Sequence, residues 1–191
     1  METIARDEEL EEFRQALAGN DRALRAFVHR HGNRLFVLAT RLTGEIDTAH
    51  DVVQDVLVAA LQRGSHFKGA SSVSTWLHSI TINRCRDIER KAMTAKRMTE
   101  RMRPIWLTDE SCGPEETAEQ HDRIARIRSL LLLMPASVRE ILALRFDSGL
   151  SYEELAVVLG CPAGTVASRL HRALRTFGDA LREQGLGEES I

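Results

Sequence analysis

Apolar residues recur every three to four positions along most of this chain, the spacing of helices that bury one face. Residues 8–18 and 21–43 read as two helices, the second carrying Leu24, Phe27, Val28, Leu35, Phe36, Leu38 and Leu42 until Gly44 breaks the run. A third is expected from about Asp47 to Arg63, with Val52, Val53, Val56, Leu57, Ala60 and Leu61 on its apolar face. Its outer face then carries Asp51, Gln54 and Asp55. A polar loop from Gly64 to Ser74 leads to a fourth helix opening at Thr75 and Trp76 and running to about Lys91 or beyond. The period fades between Lys96 and Thr117, where Pro104, Gly113 and Pro114 stand among acids, so this stretch reads as a linker. The apolar Ile105, Trp106 and Leu107 inside it suit either a patch docked on a domain or a partner contact. From Ala118 the period returns through Ile124, Ile127 and Leu131, and Pro135 opens another helix with Val138, Ile141, Leu142 and Phe146 on its apolar face.

Leu150 to Phe177 reads as two short helices joined by a tight turn. Ser151 followed by Glu154 is a capping box, in which each side chain satisfies an amide at the helix start. Leu155, Ala156 and Leu159 share a face, Gly160 suits the left-handed end of that helix, and Pro162 suits the first turn of the next. Val166, Leu170, Ala173 and Phe177 should face the core, leaving Ser168, Arg169, His171, Arg172 and Arg175 outside. The period alone fits a helical hairpin with a solvated basic face. The capping box, the Gly-x-Pro turn and three arginines without an acid between Ala163 and Phe177 favour a helix-turn-helix that enters a major groove.

A low aromatic content (5%) and abundant Leu, Ala and Arg agree with an all-α fold. The net charge of −2 hides segregation: residues 78–103 hold eight bases and three acids, whereas residues 108–122 hold six acids and no Lys or Arg. Phosphates would be attracted to local patches, not to the chain as a whole. Cys85, Cys112 and Cys161 are far apart with no C-x-x-C, which suggests reduced thiols in a cytoplasmic protein. The acidic N-terminus and the lack of a long apolar run predict neither a signal peptide nor membrane insertion.

Enzyme chemistry finds no foothold. His29 and His31 are two apart and point in different directions on a helix, and Asp47, Asp51 and Asp55 have no His or Cys near them in sequence. No nucleophile-plus-base pattern or phosphate-cradling glycine loop is present, so no catalytic residue, metal ligand or cofactor is expected. A helix-turn-helix behind a separate helical unit also fits a stand-alone transcription regulator with an N-terminal sensing unit.

Three ordered segments carry a resemblance. DVVQDV at 51–56 looks like the polymerase-clamp motif of bacterial sigma factors of the extracytoplasmic-function group. FKGASSVSTWLHSITINRCRD at 67–87 looks like their −10 reading segment, and LSYEELAVVLGCPAGTVASRLHRA at 150–173 like their −35 reading helix-turn-helix. The resemblance spans nearly the whole chain and implies sigma region 2 at 1–95, a flexible linker at 96–117 and sigma region 4 at 118–191.

The resemblance also implies roles. Asp51, Gln54 and Asp55 would meet core RNA polymerase, where carboxylates and an amide suit arginines on a partner helix. Phe67, Lys68, Ser72, Val73, Ser74 and Asn83 would contact the −10 element, with Arg84, Arg86, Arg90 and Lys91 on phosphates. Trp76 reads as core. Thr165, Ser168, Arg169, His171, Arg172 and Arg175 would meet the −35 element. The implied partners are core polymerase, promoter DNA and an anti-sigma factor.

Overall fold

The structure, a computed structural model, describes the backbone of residues 2–96 and 118–186 and the side chains of residues 6–94 and 122–186. The expected linker, with Ile105, Trp106, Leu107 and Cys112, lies outside the described residues.

The N-terminal unit is built from α1 (Glu2–Leu17), α2 (Asp21–Thr43), α3 (Ile46–Arg63), a 3-10 turn (Gly64–His66) and α4 (Val73–Lys96). Asn20 caps α2 by accepting the amides of Arg22 (3.0 Å) and Ala23 (3.1 Å), and Gly44 ends it with a left-handed φ of 76°. That conformation suits a residue without Cβ and turns the chain into α3. Phe13, Phe27, Leu35, Leu38, Val52, Val56, Leu77 and Ile82 fill the core between these helices. The α4 helix opens two residues earlier than expected because the Ser72 hydroxyl accepts the Thr75 amide at 3.0 Å, an N-cap that admits Val73 to the first turn.

The C-terminal unit comprises α5 (Ala118–Leu133), α6 (Ala136–Leu142), a π turn (Ala143–Asp147), α7 (Tyr152–Leu159) and α8 (Ala163–Glu183). Its core holds Ile141, Leu144, Leu155, Val158, Val166, Leu170 and Ala173. Both halves of the capping box form: the Glu154 amide donates to Ser151 Oγ (3.2 Å) and the Ser151 amide to Glu154 Oε2 (2.9 Å). Gly160 takes the expected left-handed conformation, φ 63°, and Pro162 stands at the N-cap of α8. One apolar assignment is corrected. Phe146 is 64% exposed, because the π turn, with Ser148 N–H donating to the Ala143 carbonyl, inserts a residue into the helical repeat and swings the stripe off the core.

The two units also pack on each other, a docking that periodicity did not indicate. Helix α4 lies against α7, and α2 against α5, α6 and the π turn. Ion pairs Arg86–Glu140, Arg139–Glu89 and Arg41–Asp147 cross this boundary.

Candidate nucleic-acid interface

The amphipathic period of α3 places Asp51, Gln54 and Asp55 together on its exposed face, with Val52 and Val56 inward. Asp55 is tied to Arg84 of α4 by an ion pair, so one carboxylate of the expected clamp face already has a cation in the free chain.

The loop before α4 is held from three sides. The Ser74 amide donates to Glu9 Oε1 of α1 at 3.1 Å, and His78 Nδ1 donates to the Ser74 carbonyl at 2.7 Å. Arg6 donates to the Gly69 carbonyl at 3.1 Å. Phe67 packs its ring on Trp76 (5.0 Å between centroids) and edge-on to Phe13 (6.2 Å), with Trp76 also against Phe13 at 5.8 Å. Phe67 and Trp76 are both half-buried there, so the ring expected to meet DNA works in this structure as a strut beneath the loop. Val73 is a correction: it is 1% exposed and belongs to the core, because the earlier helix start turns its side chain inward. Lys68 is exposed and Ser72 and Ser74 are half-buried, leaving these three to offer polar groups from the loop.

Along α4, Asn83 is exposed, but the basic stripe is less free than its sequence suggested. Arg84 meets Asp55, Arg90 meets Asp87, and Arg86 makes a two-point pairing with Glu140, Nε at 2.7 Å and Nη2 at 2.6 Å. This carboxylate holds the Arg86 guanidinium above its ordinary pKa. Lys91 is exposed, with no ion pair among the described residues.

On α8, Val166, Leu170 and Ala173 are buried, and the opposite face presents Ser168, Arg169, His171, Arg172 and Arg175 to solvent. Thr165 is half-buried, its carbonyl accepting the Ser168 hydroxyl at 3.0 Å. Arg169, Arg172 and Arg175 make no ion pair among the described residues, so this face keeps its charge for phosphates and base edges.

The residues that sequence reasoning missed are Glu9, His31 and His78. The His31 ring packs tilted against Phe27 (4.8 Å between centroids) with its Nε2 3.6 Å from Glu9, and burial pushes its pKa down to about 4. His78 is lowered too, chiefly by burial, while burial raises Glu9. His78, four residues after Ser74 on one helix face, was the only legible signal.

The sign follows from these shifts. A histidine kept neutral in the fold stabilises fully above its unfolded pKa near 6.5, and that stability drains as pH falls toward 4. Glu9 works in the opposite direction but is one group against two. Thermal melts should therefore show the protein weakened between pH 7 and 5, with His31 alone contributing on the order of 2 kcal/mol. His31→Phe, which keeps the ring on Phe27, should flatten that slope; an unchanged slope would remove His31 from the account.

Comparison with known proteins matches both units. The Sigma-70 region 2 family model covers residues 27–94, and the Sigma-70, region 4 model covers residues 124–177. The RNA polymerase sigma-H factor of Pseudomonas aeruginosa is 30% identical over 189 residues, covering 95% of this chain and 97% of that protein. The ECF RNA polymerase sigma factor EcfG of Rhodopseudomonas palustris is 34% identical over 139 residues, covering 73% and 74%. The chain belongs to the extracytoplasmic-function sigma factors. It is thus a transcription initiation factor and not an enzyme, which favours a promoter-directed factor over a stand-alone regulator.

Two solved structures are similar to this sigma factor. The sigma factor RpoE in complex with the anti-sigma factor NepR, from Bartonella quintana, aligns with a TM-score of 0.70 at 25% identity, over 83% of this chain and 96% of that one. CnrH in complex with the cytosolic domain of CnrY aligns at 0.69 and 27% identity, over 92% and 97%. No helix among the described residues is long and apolar enough to cross a membrane.

Proposed function

We propose that this sigma factor grips core polymerase through Asp51, Gln54 and Asp55. The loop Lys68–Ser74, with Asn83, Arg84, Arg86, Arg90 and Lys91, reads the −10 element. The α8 face of Ser168, Arg169, His171, Arg172 and Arg175 reads the −35 element. We divide the chain into residues 1–95, 96–117 and 118–191, a reading supported by separate family matches at 27–94 and 124–177. The protein acts in the cytoplasm, where polymerase and promoters are, and an anti-sigma protein controls it, a reading supported by the similar structure of the sigma factor RpoE bound to the anti-sigma factor NepR.

The observation that carries this reading is geometric. The α3 acids and the α8 bases both stand exposed on rigid helices, so the two partner surfaces are preformed. Gln54→Ala and Asp55→Arg should each weaken co-purification with core polymerase while leaving the melting temperature within a few degrees, since exposed positions cost little stability. Asp55→Arg should be the more severe, because it sets a cation against partner arginines and against Arg84. Wild-type retention of polymerase by both variants would remove the clamp assignment.

A further inference from the structure

One stripe of α1 lies along the loop that precedes α4. Arg6, Glu9 and Phe13 are spaced i, i+3 and i+7, so they share a helix face. Arg6 donates to the Gly69 carbonyl at 3.1 Å, and Phe13 sets its ring against Phe67 and Trp76. Glu9 Oε1 accepts the Ser74 amide at 3.1 Å. Phe13 and Leu17 also close on Gly64, where an added Cβ would lie 2.6 Å from Leu17 Cδ2 and 2.8 Å from Phe13 Cζ. Glycine at that position is what lets α1 press so near. The helix therefore touches the segment from Gly64 to Ser74 at its start, middle and end.

The Glu9 contact is a helix cap brought from 65 residues away. The first amides of a helix have no partner within it. On α4 the Ser72 hydroxyl accepts the Thr75 amide, and the Glu9 carboxylate accepts that of Ser74. Burial raises the Glu9 pKa, while the Ser74 and Val73 amides pull it back, as the positive end of a helix does to a carboxylate. Glu9 thus fixes where α4 opens, and the opening of α4 fixes where the loop ends. The loop has little of its own to hold its shape. Between Lys68 and Ser71 no backbone group pairs with another backbone group among the described residues. A reading loop that must be ordered as it meets its target loses affinity, and one held beforehand does not.

We propose that α1 is a positioning element for −10 recognition, Arg6 and Glu9 setting the loop Lys68–Ser74 in its reading conformation. The region 2 match begins at residue 27, so this role falls on residues that precede it. It rests on the assignment of the loop to the −10 element, and the test separates the two.

Full-length protein is assembled with core polymerase, and transcription is compared between a promoter with its −10 element intact and the same promoter with one −10 base pair changed. One mismatched position is worth about 5- to 150-fold in that ratio. Arg6→Ala and Glu9→Ala should each lower the ratio at least about threefold, with retention of core polymerase and dependence on the −35 element unchanged. Glu9→Gln keeps an oxygen acceptor for the Ser74 amide and should recover most of what Glu9→Ala loses. A general loss of folded protein lowers both templates alike and leaves the ratio where it was. Circular dichroism checks the helices, and Arg6→Ala, at an exposed position, carries the test alone if Glu9→Ala does not fold. An unchanged ratio in the alanine variants that fold overturns the proposal, and a Glu9→Gln as poor as a folded Glu9→Ala overturns the capping role of Glu9. Lys68→Ala and Asn83→Ala act on the reading groups themselves and should lower the ratio whatever α1 does. If these two leave it unmoved, the −10 assignment falls and takes the positioning role with it. If they lower it and the α1 variants do not, the positioning role alone is overturned.

Discussion

Transcription from a promoter that depends on its −35 element is expected to fall about 5- to 150-fold in Arg172→Ala, the range that 1–3 kcal/mol of base discrimination implies. Burial of Val166, Leu170 and Ala173 fixes the rotation of α8, so Arg172 points outward with no ion pair among the described residues. A guanidinium in that state keeps its full fork for the O6 and N7 of a guanine. Ser168, one turn earlier, is small and folds its hydroxyl back onto the Thr165 carbonyl, letting the helix approach the bases closely. Arg175→Ala should give a milder loss that shrinks at low salt, since a phosphate contact acts alike on all sequences. Each variant is measured on one promoter with and without its −35 element. An equal loss from Arg172→Ala on both would mean that Arg172 supports folding or polymerase binding and does not read DNA.

What the sequence made legible was mostly local. Gly44 ends α2 where the period broke, and Ser151, Glu154 and Gly160 frame α7 as their capping chemistry requires. The exposure of Asp51, Gln54 and Asp55 also followed from the period of α3. The failures share one cause. Glu9 reaches Ser74 across 65 residues and Glu154 reaches Thr75 across 79, and no spacing rule couples such positions. Arg84 and Arg86 of α4 looked free because their acids come from α3 and α6. Phe146 followed the α-helical period until the π turn broke it. Docking of the two units was illegible for the same reason: helix periodicity records that a face is buried, not what buries it.

Phe67 separates a strut from a reading head, and the expected result favours the strut. Its ring lies on Trp76 and at the edge of Phe13, and Phe13 in turn stacks on Phe27 at 5.0 Å. These rings connect α1, α2 and α4 beneath the loop that ends at Ser72. Aromatic pairs contribute about 0.5–1.5 kcal/mol beyond area burial. Phe67→Ala removes two of them together with the ring's buried area, so it should cost roughly 2–3 kcal/mol, a melting shift of roughly 4–10 °C for a chain of this size. With the strut gone the loop loses its floor, while Glu9 and His78 still hold it at Ser74 and Arg6 holds it at Gly69. Open-complex formation with core polymerase should therefore fall several-fold, whereas polymerase binding through α3 should persist. Phe67→Leu decides between the roles. Leucine fills most of the space under the loop and should restore both stability and open-complex formation, yet it has no π-face on which a base could stack. If Phe67→Leu recovers the melting temperature but initiates as poorly as Phe67→Ala, the ring meets DNA after all, and must leave Trp76 to do so.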